Sequence, residues 1–226
     1  MTPSGLADAA SDANAKRRFN MVEGQIRTNR VTDERLVSAL SALPRENFVP
    51  AALASVAYVD TCLRLTPDRY LMEPLFLARL LQEAAVNPDD RVLIVGAGTG
   101  YSAAILARLA ASVVALEADA DLAAWAARNL SAVANVAVRP GPLAAGWAAD
   151  APYDVILVEG MIANLPDAIA AQLAERGRLV TIRALDGYCG AGMLYRKLGG
   201  AVSGRALFDA TSPFLPGFEP QPVFTL

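Results

Sequence analysis

The sequence predicts an α/β fold with a mainly parallel sheet covered by helices on both faces, and three observations carry that expectation. Short runs that are apolar throughout, such as Val92–Val95 and Val155–Val158, alternate along the chain with helical patterns, as strands buried on both faces do. One such run passes straight into a glycine-rich turn and then a helical pattern at Gly96–Tyr101, the strand–turn–helix unit of doubly wound sheets. The chain is 54% hydrophobic over 226 residues, much of it alanine, which suits helices packed closely on a buried sheet.

Residues 1–15 are rich in Ala, Ser and Asp, without the basic start and apolar run of a secretory signal, and are expected to form a disordered tail. Residues 16–226 are expected to form one domain, with a helical cap over 16–90 and an α/β core over 91–226. Phe19, Met21, Val22 and Ile26 mark a first helix, and Leu36, Val37, Leu40 and Leu43 mark a second at helical spacing. Thr32 and Asp33 are candidate caps of the second helix, and Pro44 lies just beyond its end. An irregular segment then runs to Pro74, followed by a helix over Leu75–Val86. Strands are predicted at Val92–Val95, Val113–Leu116, Val136–Val138, Val155–Val158 and Arg178–Ile182, with helices at Tyr101–Ala110, Ala120–Leu130 and Leu165–Leu173. Gly199-Gly200, between two apolar runs of the Gly190–Leu207 segment, predicts a closing antiparallel hairpin.

Composition excludes several function classes. The chain has no histidine, which removes Ser-His-Asp and Cys-His catalysis and the commonest zinc sites. A net charge of −3 supplies no general attraction for nucleic acid or anionic membrane. The longest uncharged stretch, Val92–Ala107, carries three glycines and falls short of the roughly 18 apolar residues of a membrane span. The two cysteines, Cys62 and Cys189, are too few for a disulfide framework and too far apart for a CxxC motif, so a reducing cytoplasm is the expected compartment. No metal site is expected.

The strongest chemical signal is Val92-Leu-Ile-Val-Gly96-Ala97-Gly98-Thr-Gly100-Tyr101. Glycines there allow a sharp turn and let a ligand approach the main-chain amides at the start of a helix. A dinucleotide fingerprint GxGxxG would place its third glycine at Tyr101, which disfavours an NAD-dependent oxidoreductase. The pattern is instead GxGxG, as in S-adenosylmethionine (SAM) methyltransferases. Glu117 ends the next strand and can accept both hydroxyls of an adenosyl ribose; the alternative is a solvated cap of the following helix.

Further segments add a family resemblance. Met21-Val-Glu-Gly-Gln25-Ile26-Arg27, Val31-Thr-Asp33-Glu34-Arg35, Pro44-Arg45-Glu-Asn-Phe48-Val49-Pro50 and Ala57-Tyr58-Val-Asp60 resemble the N-terminal half of protein-L-isoaspartate O-methyltransferases. Gly146-Trp147, Ala151-Pro152-Tyr153-Asp154-Val155-Ile156 and Gly177-Arg178-Leu179-Val180 resemble the second half in the same order. The resemblance covers about Met21 to Ile182. It implies a class I SAM-dependent methyltransferase (Rossmann-like) fold with a seven-stranded, mainly parallel sheet, one antiparallel closing strand, and a helical cap and acceptor-side loop before the core. It also implies SAM as cofactor, held by Gly96, Ala97, Gly98, Gly100, Glu117, Pro142 and Leu143, and an isoaspartyl-containing peptide or protein as partner.

The departures fall at the implied crevice. The family's serine at the methyl-acceptor site is Met72 here, its acidic residue before the glycine turn is Ile94, and its Gly-Asp-Gly is Gly141-Pro142-Leu143. Met72 donates no hydrogen bond, so acceptor orientation is expected to loosen. Glu159 stands at a strand end facing the same crevice, where the family carries a small or hydroxyl residue, and is a candidate, alone or with Glu73, to orient or deprotonate another acceptor such as an amine or hydroxyl; the alternative is a solvated or Arg-paired carboxylate. These departures leave two alternatives open: a divergent member with another acceptor, or a non-catalytic SAM-binding protein. Arg64, Arg69 and Tyr70 could clamp an anionic substrate but read first as ordinary loop charges. Trp125 and Trp147 read as packing, and Tyr188 and Leu215–Phe218 give no chemical signal.

Overall fold

The computed structural model describes residues 3–185 and 189–220, so Tyr188 lies outside the described residues. Helix α1 spans Pro3–Met21 and continues through a π turn, Val22–Ile26, and a 3-10 turn, Arg27–Asn29. The expected disordered tail is therefore helical from Pro3 onward. An alanine-rich segment has high helix propensity, and here it extends a helix already anchored by buried Met21 and Val22. Helix α2, Glu34–Ala42, starts at Asp33, whose carboxylate accepts from the amides of Arg35 and Leu36 at 2.9 and 3.3 Å.

The irregular segment before Pro74 contains a feature without a sequence signal. Two-residue strands β1 (Leu63–Arg64) and β2 (Tyr70–Leu71) pair antiparallel around a turn carrying Arg69. Helix α3, Pro74–Ala84, opens on a proline, whose missing N–H costs nothing in a first turn.

Seven strands form the main sheet in the order β5-β4-β3-β6-β7-β8-β9. They are β3 Arg91–Val95, β4 Ser112–Glu117, β5 Val136–Pro140, β6 Tyr153–Ile162, β7 Leu173–Ala184, β8 Gly190–Leu198 and β9 Ala201–Asp209. The pairings from β5 across to β7 are parallel, and β8 runs antiparallel to both β7 and β9. Helices α4 (Tyr101–Leu106), α5 (Ala120–Asn129) and α6 (Asp167–Ala171) provide crossovers. Helices α4 and α6 are shorter than their sequence patterns; Leu173, assigned to a helix by spacing, instead opens β7.

The central strands are apolar over most of their length because each face has its own core. Val92, Ile94, Val113, Val155 and Val180 pack with the N-terminal helices and α4. Leu93, Val95, Leu116, Ile156 and Leu179 pack on the opposite face with Ile169 of α6, Leu215 and Phe218. Ile94, at the position where the family resemblance expects an acid, is thus a fully buried core residue. No helix among the described residues is long and apolar enough to cross a membrane.

Candidate functional site

From β3 the chain turns outward to β4 and β5, then returns to the other side of β3 as β6. The carboxyl ends of β3 and β6 therefore flank a topological switch point, where parallel sheets form their ligand crevice. The glycine turn leaves β3 at this point. Gly96 and Ala97 both donate to the Leu116 carbonyl, at 2.9 and 3.0 Å, which ties the turn to the end of β4. Thr99 donates its hydroxyl to the Phe48 carbonyl at 2.6 Å, so the N-terminal cap supports the turn from the other side.

Two glycines of the turn serve different purposes. Gly100 has φ +92°, and a Cβ there would meet Leu130 Cδ1 at 2.8 Å, so the residue is required by packing as well as by backbone angle. Gly98 has φ +55°, and a Cβ would meet only Leu65 Cδ1 at 3.4 Å. Its amide turns inward and donates to Glu117 at 2.7 Å. Helix α4 has only six residues, so recognition here depends on the turn and Glu117 rather than on a long helix dipole.

Glu117 is completely buried at the end of β4. It is not the solvated cap weighed against the ribose-binding role, since the cap of α5 is Asp119. Its carboxylate accepts from the amides of Gly98 at 2.7 Å, Ala118 at 2.9 Å and Asp119 at 3.1 Å. It also receives Arg69 through Nη2 at 2.7 Å and Nε at 3.3 Å. Arg69 Nη2 further donates to the Gly96 carbonyl at 2.8 Å. Arg69 is only 6% exposed, which corrects its reading as a loop charge. Arg64, by contrast, is exposed and donates to the Pro67 carbonyl.

Beside Glu117 lies a cavity of about 360 Å³ lined by Pro67, Arg69, Glu117, Asp119, Leu143 and Pro216. Its size is that of a small-molecule site. Leu143 supplies its apolar wall, and Pro142 caps the 3-10 turn that presents Leu143. Trp147 packs outside, donating to Asp150 at 3.0 Å.

On the β6 side, Glu159 is 4% exposed and accepts a hydrogen bond from the Ser102 hydroxyl. Burial pushes its carboxyl up to about 7, opposed by that hydrogen bond and by the charges of Arg69 and Arg45. Met72 is 2% exposed, and its carbonyl is held by buried Arg45 at 2.7 Å. Met72, Glu159, Gly160, Arg69 and Leu215 surround a second, very small cavity of about 10 Å³. Leu215 reaches the site on a C-terminal segment bound to β6: Met161 donates to Pro213 at 3.1 Å and Leu215 to Met161 at 2.9 Å. A Cβ on Gly96 would lie 2.8 Å from Leu215 Cδ1, and one on Gly160 2.9 Å from its Cβ.

The structure thus gathers Gly96, Gly98, Glu117, Leu143, Met72 and Glu159 around one crevice and adds Arg69, Ser102, Arg45 and Leu215. Of the added residues, Arg69 had a sequence signal in its charged loop and Arg45 in the Pro44–Pro50 segment of the family resemblance; Ser102 and Leu215 had none. The set of groups fits an adenosyl group, with an acid at the strand end and an apolar wall. Glu117 as it stands receives five donors, against the roughly four lone-pair sites of a carboxylate. A ribose diol would compete with Arg69 for this carboxylate.

A family model described as Protein-L-isoaspartate(D-aspartate) O-methyltransferase (PCMT) matches residues 16–196. The chain belongs to this family. The protein-L-isoaspartate O-methyltransferase of Methylorubrum extorquens (strain PA1) is 42% identical over 167 residues, covering 74% of this chain and 73% of the relative. That of Koribacter versatilis (strain Ellin345) is 41% identical over 165 residues, covering 72% and 74%. A solved structure titled protein-L-isoaspartate O-methyltransferase superposes with a TM-score of 0.76 at 25% identity, covering 88% of this chain and 66% of that one. A Plasmodium falciparum structure, titled a putative protein-L-isoaspartate O-methyltransferase in complex with S-adenosyl-L-homocysteine, shares the fold at TM-score 0.74 and 19% identity. It covers 89% of this chain and 97% of its own. Met72, where the sequence resemblance implies an acceptor-side serine, is buried.

Proposed function

We infer that the protein is a SAM-dependent O-methyltransferase that methylates the carboxylate of isoaspartyl residues in damaged peptides or proteins. The observation that carries this reading is Glu117, buried at the end of β4 and oriented by the main-chain amides of Gly98, Ala118 and Asp119, in a chain of this family. When bound, SAM would supply an electrophilic methyl on a sulfonium. Gly96, Ala97, Gly98 and Gly100 shape the turn against which it lies, Glu117 takes the ribose hydroxyls, and Leu143, after Pro142, walls the adenosyl side. The acceptor is an anion at neutral pH, so no general base is required, and the missing histidine is no obstacle. The protein's contribution is in-line placement in a closed crevice, which can account for as much as roughly 7–11 kcal/mol of barrier. The coverage by Leu215 and the N-terminal cap keeps water from that space.

The test pairs calorimetric titration of S-adenosylhomocysteine with transfer from labelled SAM to an isoaspartyl peptide. Binding and transfer are expected; binding without transfer would leave a non-catalytic SAM-binding protein, and no binding would sink the cofactor assignment. A second reading, transfer to an amine or hydroxyl, is favoured by Glu159, a buried carboxyl near neutrality on the Met72 side of the crevice. It could take the proton that such an acceptor must lose. Unchanged transfer to an amine or hydroxyl acceptor by Glu159→Gln would eliminate it.

A further inference from the structure

Arg69 stands at a junction that family membership does not explain. Its guanidinium occupies the carboxylate that a ribose would need, and its side chain walls both the cavity beside Glu117 and Leu143 and the small cavity beside Met72 and Glu159. We propose that Arg69 is an acceptor-binding residue gated by the cofactor: it holds Glu117 in the free protein, and when ribose hydroxyls take Glu117 the guanidinium is freed toward the Met72 side, where the cavity of about 10 Å³ must widen to admit an acceptor carboxylate that the guanidinium then binds. This rests on the methyltransferase reading above.

Three features support it. First, displacement leaves Glu117 satisfied, because the amides of Gly98, Ala118 and Asp119 still donate to it. Arg69 instead loses the carboxylate it pairs with and keeps the Gly96 carbonyl, with Glu159 across the small cavity already accepting from Ser102. A buried guanidinium without an anion is unstable, so it seeks another carboxylate. Second, the acceptor side lacks a donor at Met72, and a guanidinium supplies a bidentate pair of N–H groups suited to a carboxylate. Third, the main chain need not move: the Arg69 carbonyl accepts from the amides of Leu65 at 2.8 Å and Thr66 at 3.2 Å, fixing the β1–β2 turn while the side chain rotates. The arrangement makes binding ordered, cofactor before acceptor.

The experiment measures S-adenosylhomocysteine affinity by calorimetry, and kcat and KM for an isoaspartyl peptide, in the wild type, Arg69→Gln and Arg69→Lys. With the gate removed, Arg69→Gln is expected to bind S-adenosylhomocysteine about tenfold more tightly, roughly 1.4 kcal/mol. Its peptide KM is expected to rise at least about tenfold while kcat changes less, with Arg69→Lys restoring part of the KM. Should Arg69→Gln fail to fold by circular dichroism, Arg69→Lys carries the test, with smaller changes in the same directions. Equal or weaker S-adenosylhomocysteine binding in the variants overturns the gate, and an unchanged peptide KM overturns the acceptor role; either result leaves the methyltransferase reading standing. Binding by none of the three proteins overturns that reading and the proposal together.

Discussion

Replacing Glu159 with Gln should make the protein more stable at alkaline pH and leave it nearly unchanged in acid. Glu159 is enclosed by β6, with the Ser102 hydroxyl from α4 donating to it, Arg69 and Arg45 attracting its charge and Glu117 repelling it. Burial dominates and raises its carboxyl from the ordinary 4.5 to about 7. Between those two values the native state holds a proton that the unfolded chain has released. Stability therefore falls as pH rises through this window, the loss being complete above the folded value. The difference of about 2.5 pH units corresponds to roughly 3 kcal/mol. Gln pays none of this penalty, and its amide oxygen can still accept from Ser102. Urea unfolding of both proteins should show a stability difference in favour of Glu159→Gln that grows by about 2.5 kcal/mol from pH 5 to pH 8 at constant m-value. A difference independent of pH, or a less stable variant at pH 8, would refute the account of Glu159 as a buried carboxyl whose ionisation opposes folding.

The remaining predictions concern other parts of the crevice and its support. Gly100→Ala forces a Cβ to 2.8 Å from Leu130 at φ +92° and should cost roughly 1–3 kcal/mol by denaturant unfolding. Gly98→Ala, with only a 3.4 Å contact to Leu65, should cost about 1–2 kcal/mol yet weaken S-adenosylhomocysteine binding in calorimetry. Arg45→Met removes a fully buried guanidinium that donates to the Ala57 and Met72 carbonyls at 2.7 Å each; leaving both acceptors unpaired should destabilise by about 2–4 kcal/mol. Phe19→Ser, at a side chain 64% exposed, should change unfolding free energy by no more than about 0.5 kcal/mol.

Several of these sites were legible before any tertiary contact was known. The glycine turn and Glu117 follow one another within a single strand–turn–helix–strand unit, so their chemistry could be read locally. Glu159 was recognisable because it ends an apolar run that must point to the same edge of the sheet. Helix ends were less legible: α4 and α6 stop short of their apolar patterns because the same residues also satisfy buried turns and the start of β7. The first helix was legible from Phe19 onward, but its extension back to Pro3 was not, because a polar composition hides a high helix propensity when no apolar stripe is present.

The amino-acid sequence by itself determined the layer architecture, since strands apolar on both faces require cover on both faces, and it placed the glycines and Glu117 at strand ends. Only the tertiary structure decided what those groups touch. Arg69 meets Glu117 across 48 positions and Ser102 meets Glu159 across 57, while Leu215 returns from near the C-terminus to cover Gly96 and Gly160. Such contacts carry no period in the sequence; they arise where loops from separate elements converge at one edge of the sheet. There a charge that reads as solvated loop becomes half of a buried ion pair, because burial and the nearest opposite charge are properties of the folded chain.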